Sequence, residues 1–520
     1  MSITAKQIIE SAPLRFRHEK AYDIDTIFHF ELKGEPTIAY TMVIKNGSCE
    51  LQKGLHGEAS CVIKTTQALY VELETGKANP QLALMMGKVK VSNISEMIGF
   101  AKLFRKFDES YLHANTSIEK LEIIKRPKLN GPLEGVRILD FSRLLPGPLA
   151  TMFLADMGAE VLKIEDPDNP DYVRDIEPML GDTSAFYYAL NRNKKSLAIN
   201  FLHPEGKKII TQLLQSTDVL VEQYRPRVME HFGFGYEQVK TINPKIIYVS
   251  ITGYGQNNSM SQMAGHDLNY IATSGVLSTI GTDKNHISIP GVQIADIAGG
   301  SYMSMNAILA ALYQREKTGQ GQHINLSMTN AALPLVAMQF AEQQATGKAS
   351  ERGQFQLAGG LANYNVYRCK DGKFLAVGSL EPKFWNKVCE LIGKTEWSKE
   401  IFSNFVVQNK VRQAFQELLL QKDSVAWLTL FKGHEVCISP INEIADIALD
   451  HHFIETNAFA IHTINGNDFK SIKNPFLATG MKENEYWTAP KLGEDTNTLL
   501  LDLGIDNKTI QHLRTERVIK

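Results

Sequence analysis

From about Gly131 onward, short wholly apolar runs alternate with segments of helical length, and this alternation constrains the fold more than any other feature of the sequence. GVRILDFS leads into PGPLATMFLADMG, which a glycine closes, and AEVLKIED follows. KSLAINF, the helical HPEGKKIITQLLQ, DVLVEQY, a further helix and KIIYVSITGYG repeat the theme. Apolar runs of about four to eight residues without polar alternation suit strands buried on both faces. Helices between them supply the crossovers of a doubly wound, parallel α/β sheet. Such sheets place ligands beyond the carboxyl ends of their strands. PGPLA stands after the first strand where a GxGxxG turn would be needed, which disfavours a nicotinamide dinucleotide.

A chain of 520 residues exceeds one ordinary domain. Composition shifts divide it at residues 1–115, a linker at 116–131, a large α/β domain at 132–340, a smaller α+β domain at 341–475, and a segment at 476–520 that returns to the large domain. The linker is marked by Asn, Ser, Lys, Pro and Gly. The small domain opens with NYNVYRCKDGKFLAVGS, a hairpin turning at Asp371-Gly372, and contains a strand near HEVCISPI. With 43% hydrophobic and 22% charged residues and a net charge of −2, the composition calls for neither nucleic acid nor an anionic membrane surface. Any bound anion must be held by a local cluster. The five cysteines match no zinc spacing and no CxxC, and so few suit a reducing compartment. The amino terminus lacks a signal-peptide core, no apolar run reaches membrane-spanning length, and TERVIK is not a peroxisomal tripeptide. A cytoplasmic protein without a membrane span is expected.

The first region reads differently. FHFEL, TIAYTMVIKNG, SCELQKG and ASCVIKTT alternate apolar and polar residues between turns, as in an antiparallel sheet. TTQALYVELETG and the stretch PQLALMMGKVKVSNISEMIGFAKLFRKF add helices and a short strand. Over roughly residues 10–112 this order resembles the sterol carrier protein 2 (SCP2) family. The resemblance implies an α+β, SCP2-like domain with an apolar tunnel for a lipid, acyl chain or sterol. The apolar residues Leu82, Leu84, Met85, Met86, Met97, Ile98 and Phe100 fit either that tunnel or a plain core.

Chemistry-bearing residues gather near the strand ends of the α/β region. Arg192, Lys194 and Lys195 precede one strand, and Arg225 and Arg227 follow the next. Five cations near one sheet in a nearly neutral chain suit a polyphosphate ligand or, alternatively, a solvated surface. AGHDLNY supplies His266 and Asp267, QIADIAGGS supplies Asp296 before a glycine-rich helix start, and VGSLEPKFW supplies Glu381. A histidine and a carboxyl group on different loops can exchange protons with a substrate between them. A structural His-Asp pair and a helix-capping aspartate are the other readings.

From about residue 131 to the end the chain is similar to the class III CoA-transferase superfamily. The segments carrying the resemblance include GVRILDFSRLLPGPLATMFLADMGAEVLKIE, NRNKKSLAINF, DVLVEQYRPRVMEHFGFG and ALYQREKTGQGQHINLSM. Gly265-His266-Asp267, Asp296 and Glu381-Pro382-Lys383-Phe384 match its α-methylacyl-CoA racemase type. The resemblance implies the class III CoA-transferase fold, an acyl-CoA thioester substrate, an interlocked homodimer, and no cofactor beyond the CoA of the substrate. It implies that His266 and Asp296 are the acid and base, with Glu381 orienting His266 and, in an interlocked homodimer, reaching it from the partner subunit. Arg143, Lys163, Arg192, Lys194, Lys195 and Arg225 are the expected CoA-contacting residues. A buried setting is expected to raise the pKa of Asp296, and a backbone N–H at its helix start to receive the enolate oxygen. Racemases commonly read Asp-Gly-Gly-Ala-Pro before the small-domain hairpin, whereas this chain reads Ala358-Gly359-Gly360-Leu361-Ala362, a difference that bears on the substrate. Two other functions remain open: a CoA-transferase with Asp267 as nucleophile, and a non-enzymatic lipid carrier.

Overall fold

The computed structural model describes residues 3–17, 21, 24–45, 48–108, 123–476 and 486–520. The Asn46-Gly47 turn, the Ile98 side chain and residues 116–122 of the expected linker lie outside the described residues. The first strands are β1 (Asp25–Lys33), β2 (Ile38–Lys45), β3 (Ser48–Lys53), β4 (Cys61–Thr66) and β5 (Lys90–Val91). They form one sheet in the order β3-β2-β1-β4-β5. The expected antiparallel arrangement is corrected at one pair: β4 runs parallel to β1. Residues 54–60 are too long for a tight hairpin and carry the chain to the other edge of β1.

Alternation along β1 buries Phe28, Phe30 and Leu32 against Ile8 and Ile9 of the first helix. A cavity of about 940 Å³ remains, walled by Phe30, Met42, Ile63, Met97 and Phe100. Buried Arg15 reaches its edge and pairs with Glu74 at 2.5 Å. Leu82, Met85 and Met86 belong to neither core nor cavity wall, because the short helix Pro80–Met85 buries only Ala83 and leaves these three exposed.

The second sheet contains β6 (Arg137–Asp140), β7 (Glu160–Glu165), β10 (Lys194–Ala198), β11 (Val219–Glu222), β12 (Ile247–Thr252) and β13 (Gln322–Ser327). The small pair β8 (Met179–Leu180) and β9 (Thr183–Ser184) lies outside it. The order is β10-β7-β6-β11-β12-β13, and every pairing is parallel. One face packs Val219, Val221, Ile247 and Val249, and the other packs Leu139, Leu162, Leu220 and Tyr248. Burial on both sides explains why these strands read as continuous apolar runs. The chain leaves β6 to one side for β7 and β10, then returns to its other side for β11. A crevice therefore opens over the carboxyl ends of β6 and β11.

The smaller core surrounds Tyr367, Trp385 and Phe415, under β14 (Tyr364–Arg368), β15 (Phe374–Gly378) and β16 (Ile438–Pro440). The β14–β15 hairpin turns at Gly372, whose φ of +81° suits glycine. The hairpin of β17 (Phe459–Ile464) and β18 (Asn467–Ile472) instead places Ile464 in a cluster with Val173, Tyr187 and Tyr188. The final helices, Thr496–Asp502 and Asn507–Thr515, pack on the large sheet through Leu499, Leu500, Ile510 and Leu513. Residues 123–131, read as linker, are anchored there too: Arg126 donates to Asp495 at 2.7 Å and to Glu494 at 2.8 Å. No helix among the described residues is long and apolar enough to cross a membrane.

Candidate active site

A cavity of about 510 Å³ occupies the crevice over β6, β11 and β12. Its wall takes Leu144 and Pro146 from beyond β6, Gln223 to Pro226 from beyond β11, and Thr252 to Tyr254 from the end of β12. His266 and Asp296 line this same cavity.

His266 is the extended residue before the helix Asp267–Thr273, with its backbone N–H donated to Asn269 Oδ1 at 3.1 Å. That anchor fixes the backbone and leaves the exposed imidazole at the cavity. Gly265 precedes it because a side chain there would collide. An added Cβ would lie 2.8 Å from the Tyr270 ring and 2.9 Å from Tyr254 Oη. Tyr270 Oη donates to the Gly265 carbonyl and locks the turn. Burial, followed by the charge of Asp296, raises the Tyr270 phenol to about 12, so it remains a donor at neutral pH.

Asp296 lies near the start of a π-helical stretch, Ala295–Tyr302, which continues into the α-helix Met303–Thr318. Such wide turns are rare and frequently occur at functional positions. Gly300 allows the stretch to touch the first crossover helix: an added Cβ would be 2.6 Å from Pro146 Cβ. Burial pushes the Asp296 carboxyl up to about 7, and the nearby charge of Asp267 adds to the effect. Asp267 itself is committed elsewhere, since its Oδ1 accepts the Asp296 backbone N–H at 2.9 Å. That bond engages the Asp296 N–H, one of the backbone donors at the helix start expected to receive an enolate oxygen. Asn269 and Tyr254 are polar side chains of the wall that carry donor groups.

The family model of CoA-transferase family III matches residues 133–496. The chain belongs to CoA-transferase family III. The SCP-2 sterol transfer family matches residues 6–103. Among family III relatives, the α-methylacyl-CoA racemase of Homo sapiens is 31% identical over 390 residues, covering 75% of this chain and 97% of the relative. The succinyl-CoA:glutarate CoA-transferase of Homo sapiens is 34% identical over 401 residues, covering 75% of this chain and 90% of the relative. A crystal structure of a CAIB/BAIF family protein from Brucella suis is 28% identical with a TM-score of 0.63, covering 72% of this chain and all of that one.

Within this family III frame the expected CoA contacts separate sharply. Arg225 lines the cavity, and Arg143 lies beside it, 5.4 Å over the ring of Tyr224 and 3.2 Å from the Asn169 carbonyl. Lys163, Arg192 and Lys194 are corrected: all three are fully buried in ion pairs. Lys163 Nζ is 3.0 Å from Asp171, Arg192 is 2.6 Å from Asp156, and Lys194 Nζ is 2.9 Å from Asp140. Lys195 pairs with Glu160 at 2.5 Å and lines a different cavity, near Arg126 and Trp487. The reason is directional. Residues 192–195 open β10 and so occupy its amino end, opposite the ligand crevice.

Glu381 is exposed at the start of the helix Pro382–Leu391 in the small domain and is absent from the cavity wall of its own chain. Tyr224, Tyr254, Tyr270 and Gln223 line the cavity, although the sequence reading gave them no role. Their signal was position: each lies just beyond a strand end or beside the Gly-His-Asp turn.

Proposed function

We propose that this chain interconverts the two configurations of a 2-methylacyl-CoA thioester by removing and returning the proton on its α-carbon. The observation carrying this reading is that His266 and Asp296 face one cavity while the Asp267 carboxylate bonds the Asp296 amide. Inversion needs a base on one side of the carbon and an acid on the other. Neutral His266 takes the proton in one direction as protonated Asp296 gives one, and the roles reverse in the other. A carboxyl group raised to about 7 is present in both forms near neutral pH, as this exchange requires. Arg225 and Arg143 carry the charge that would meet CoA phosphates. A second copy of the chain would bring Glu381 to His266, and the amino-terminal cavity would hold an acyl chain or other lipid.

The test is α-hydrogen exchange in deuterium oxide, using purified protein and a 2-methylacyl-CoA without any acceptor acid. Label should enter and the 2-methyl centre should scramble. His266→Ala and Asp296→Asn should each reduce exchange by about 10²–10⁴-fold, the usual contribution of one positioned proton-transfer group. The opposite outcome is CoA transfer that requires an acceptor acid, survives His266→Ala and yields a hydroxylamine adduct at Asp267. That result would establish the transferase chemistry suggested by the 34% identical relative.

A further inference from the structure

Beneath the cavity floor, on the opposite face of the sheet, lies a polar chain that the proposed reaction does not use. Glu222 ends β11, Ser250 is its register partner on β12, and His323 lies one strand further on β13. Glu222 is 4% exposed and Ser250 is fully buried. Ser250 bonds the Glu222 carboxyl group and also meets His323 Nε2 at 3.0 Å. The His323 ring stacks on Tyr236 at 4.9 Å and meets Tyr248 edge-on at 5.3 Å, while keeping partial exposure to solvent. On the cavity side, Glu222 Oε2 accepts the Tyr224 N–H at 2.8 Å. Tyr224 and Arg225 then enter the cavity wall.

A serine hydroxyl has one proton to donate, so this chain has two satisfied arrangements. In one, ionised Glu222 accepts from Ser250, and His323 Nε2–H donates to Ser250. In the other, protonated Glu222 donates to Ser250, and Ser250 donates to an unprotonated His323 Nε2. Passage from the first to the second moves the Nε2 proton to Ser250 and the serine proton to Glu222. A proton taken from solvent at His323 Nδ1 restores a neutral imidazole, so the net change is one solvent proton delivered to Glu222.

We propose that Glu222 is a positioning residue that takes up a proton, through His323 and Ser250, when a polyanion enters the cavity. A neutral Glu222 removes a negative charge from the end of β11, just before Arg225 in the chain, without losing a hydrogen-bond partner. Burial pushes this carboxyl to about 7, and Glu230 acts in the same direction. The groups that face it are Tyr248 on β12, Tyr224 in the following turn and Glu230 on the helix Val228–Phe232. His323 is lowered by burial and opposed by Glu230 and Glu237, which favours a neutral ring able to pass a proton onward.

The proposal rests on the acyl-CoA reading of the cavity, and free CoA is the probe. Calorimetric titration of the full chain at pH 7.5, in buffers of different ionisation enthalpy, reads the protons bound with CoA. Comparing the native protein with Glu222→Gln cancels titration of CoA itself. If occupancy raises the Glu222 pKa by one unit, the native protein should take up ~0.5 proton more than the variant, and its affinity should weaken ~7-fold more from pH 6 to 8.5. Ser250→Ala retains the carboxyl group but removes its hydrogen bond, so the uptake should move to higher pH. Should Glu222→Gln fail to fold, that shift decides alone. Equal uptake in the native protein and Glu222→Gln, or an unmoved profile in Ser250→Ala, overturns the proposal and leaves CoA binding intact. If the native protein does not bind CoA, the acyl-CoA reading fails and this proposal fails with it.

Discussion

Replacing Asp296 with asparagine should change the pH dependence of stability by a definable amount. Asp296 has an ordinary carboxyl value of 3.8 when unfolded and about 7 when folded, first because of burial and then because of Asp267. A raised carboxyl pKa means that the folded state binds the proton more tightly. Its contribution is fully present below pH 3.8 and is lost as pH rises through about 7. From pH 5 to pH 7 that loss spans two units, at about 1.4 kcal/mol each, and above pH 7 it levels off. The native protein should therefore lose about 3 kcal/mol relative to Asp296→Asn between pH 5 and pH 8. Asparagine occupies similar space and does not titrate, so the difference between the proteins isolates this carboxyl group. Urea unfolding followed by circular dichroism at both pH values gives the two offsets, with the large-domain transition used because the chain contains several cores. An offset that is the same at pH 5 and pH 8 would refute the buried, elevated carboxyl group and the acid role built on it.

Lys163→Met leaves Asp171 buried without its cation and should cost about 3–5 kcal/mol, measured as a lowered urea midpoint. Arg225→Ala should leave the unfolding free energy from urea titration within about 0.5 kcal/mol of the native value, because the residue is exposed, while raising KM for acyl-CoA. Gly300→Ala forces a methyl group to within 2.6 Å of Pro146 Cβ and should destabilise by about 1–3 kcal/mol, with reduced turnover as Asp296 shifts. Removing residues 1–115 should raise KM for long-chain acyl-CoA in dilute assays and spare short-chain substrate, if the amino-terminal domain acts by local delivery. Equal KM values would reject that role.

The architecture of the large sheet was legible because each of its central strands is buried on both faces. Val219–Glu222 and Ile247–Thr252 have no exposed residue, and their sequences correspondingly show little polar alternation. Strand direction in the first sheet was not legible, because alternation identifies the faces of β4 but not the strand beside it. His266 and Asp296 were found from their local motifs, and their motifs retain the neighbours that the cavity needs: Gly265 clears the two tyrosine rings, and Gly300 clears Pro146. Ion-pair partners were harder. Asp156 lies 36 positions from Arg192, and Asp140 lies 54 from Lys194, distances over which no pattern links charges. One part of that error was avoidable. A cation immediately before a parallel strand belongs to its amino end, so the location of residues 192–195 already argued against the ligand crevice.

Those buried charges still bear on the cavity, through the backbone that they hold. Leu144 has a φ of +60°, an unfavourable conformation for a leucine, on the turn between β6 and the first crossover helix. Asp171 accepts the Leu144 N–H at 3.1 Å, and Lys163 binds both Asp171 and the Ser142 carbonyl at 3.0 Å. Asp140 reaches the same turn by accepting the Ser142 N–H at 2.9 Å. Although burial pushes Asp140 upward, Lys194, Lys163 and the neighbouring hydroxyl groups hold it down at about 2, so it stays ionised through the physiological range. The two lysines thus fix the Ser142–Leu144 turn from below, and Arg143 at its centre remains free to lie over Tyr224 at the cavity edge. A lysine at either buried position is too completely enclosed to meet a phosphate, yet losing it would unfasten the turn that holds Arg143 at the cavity edge.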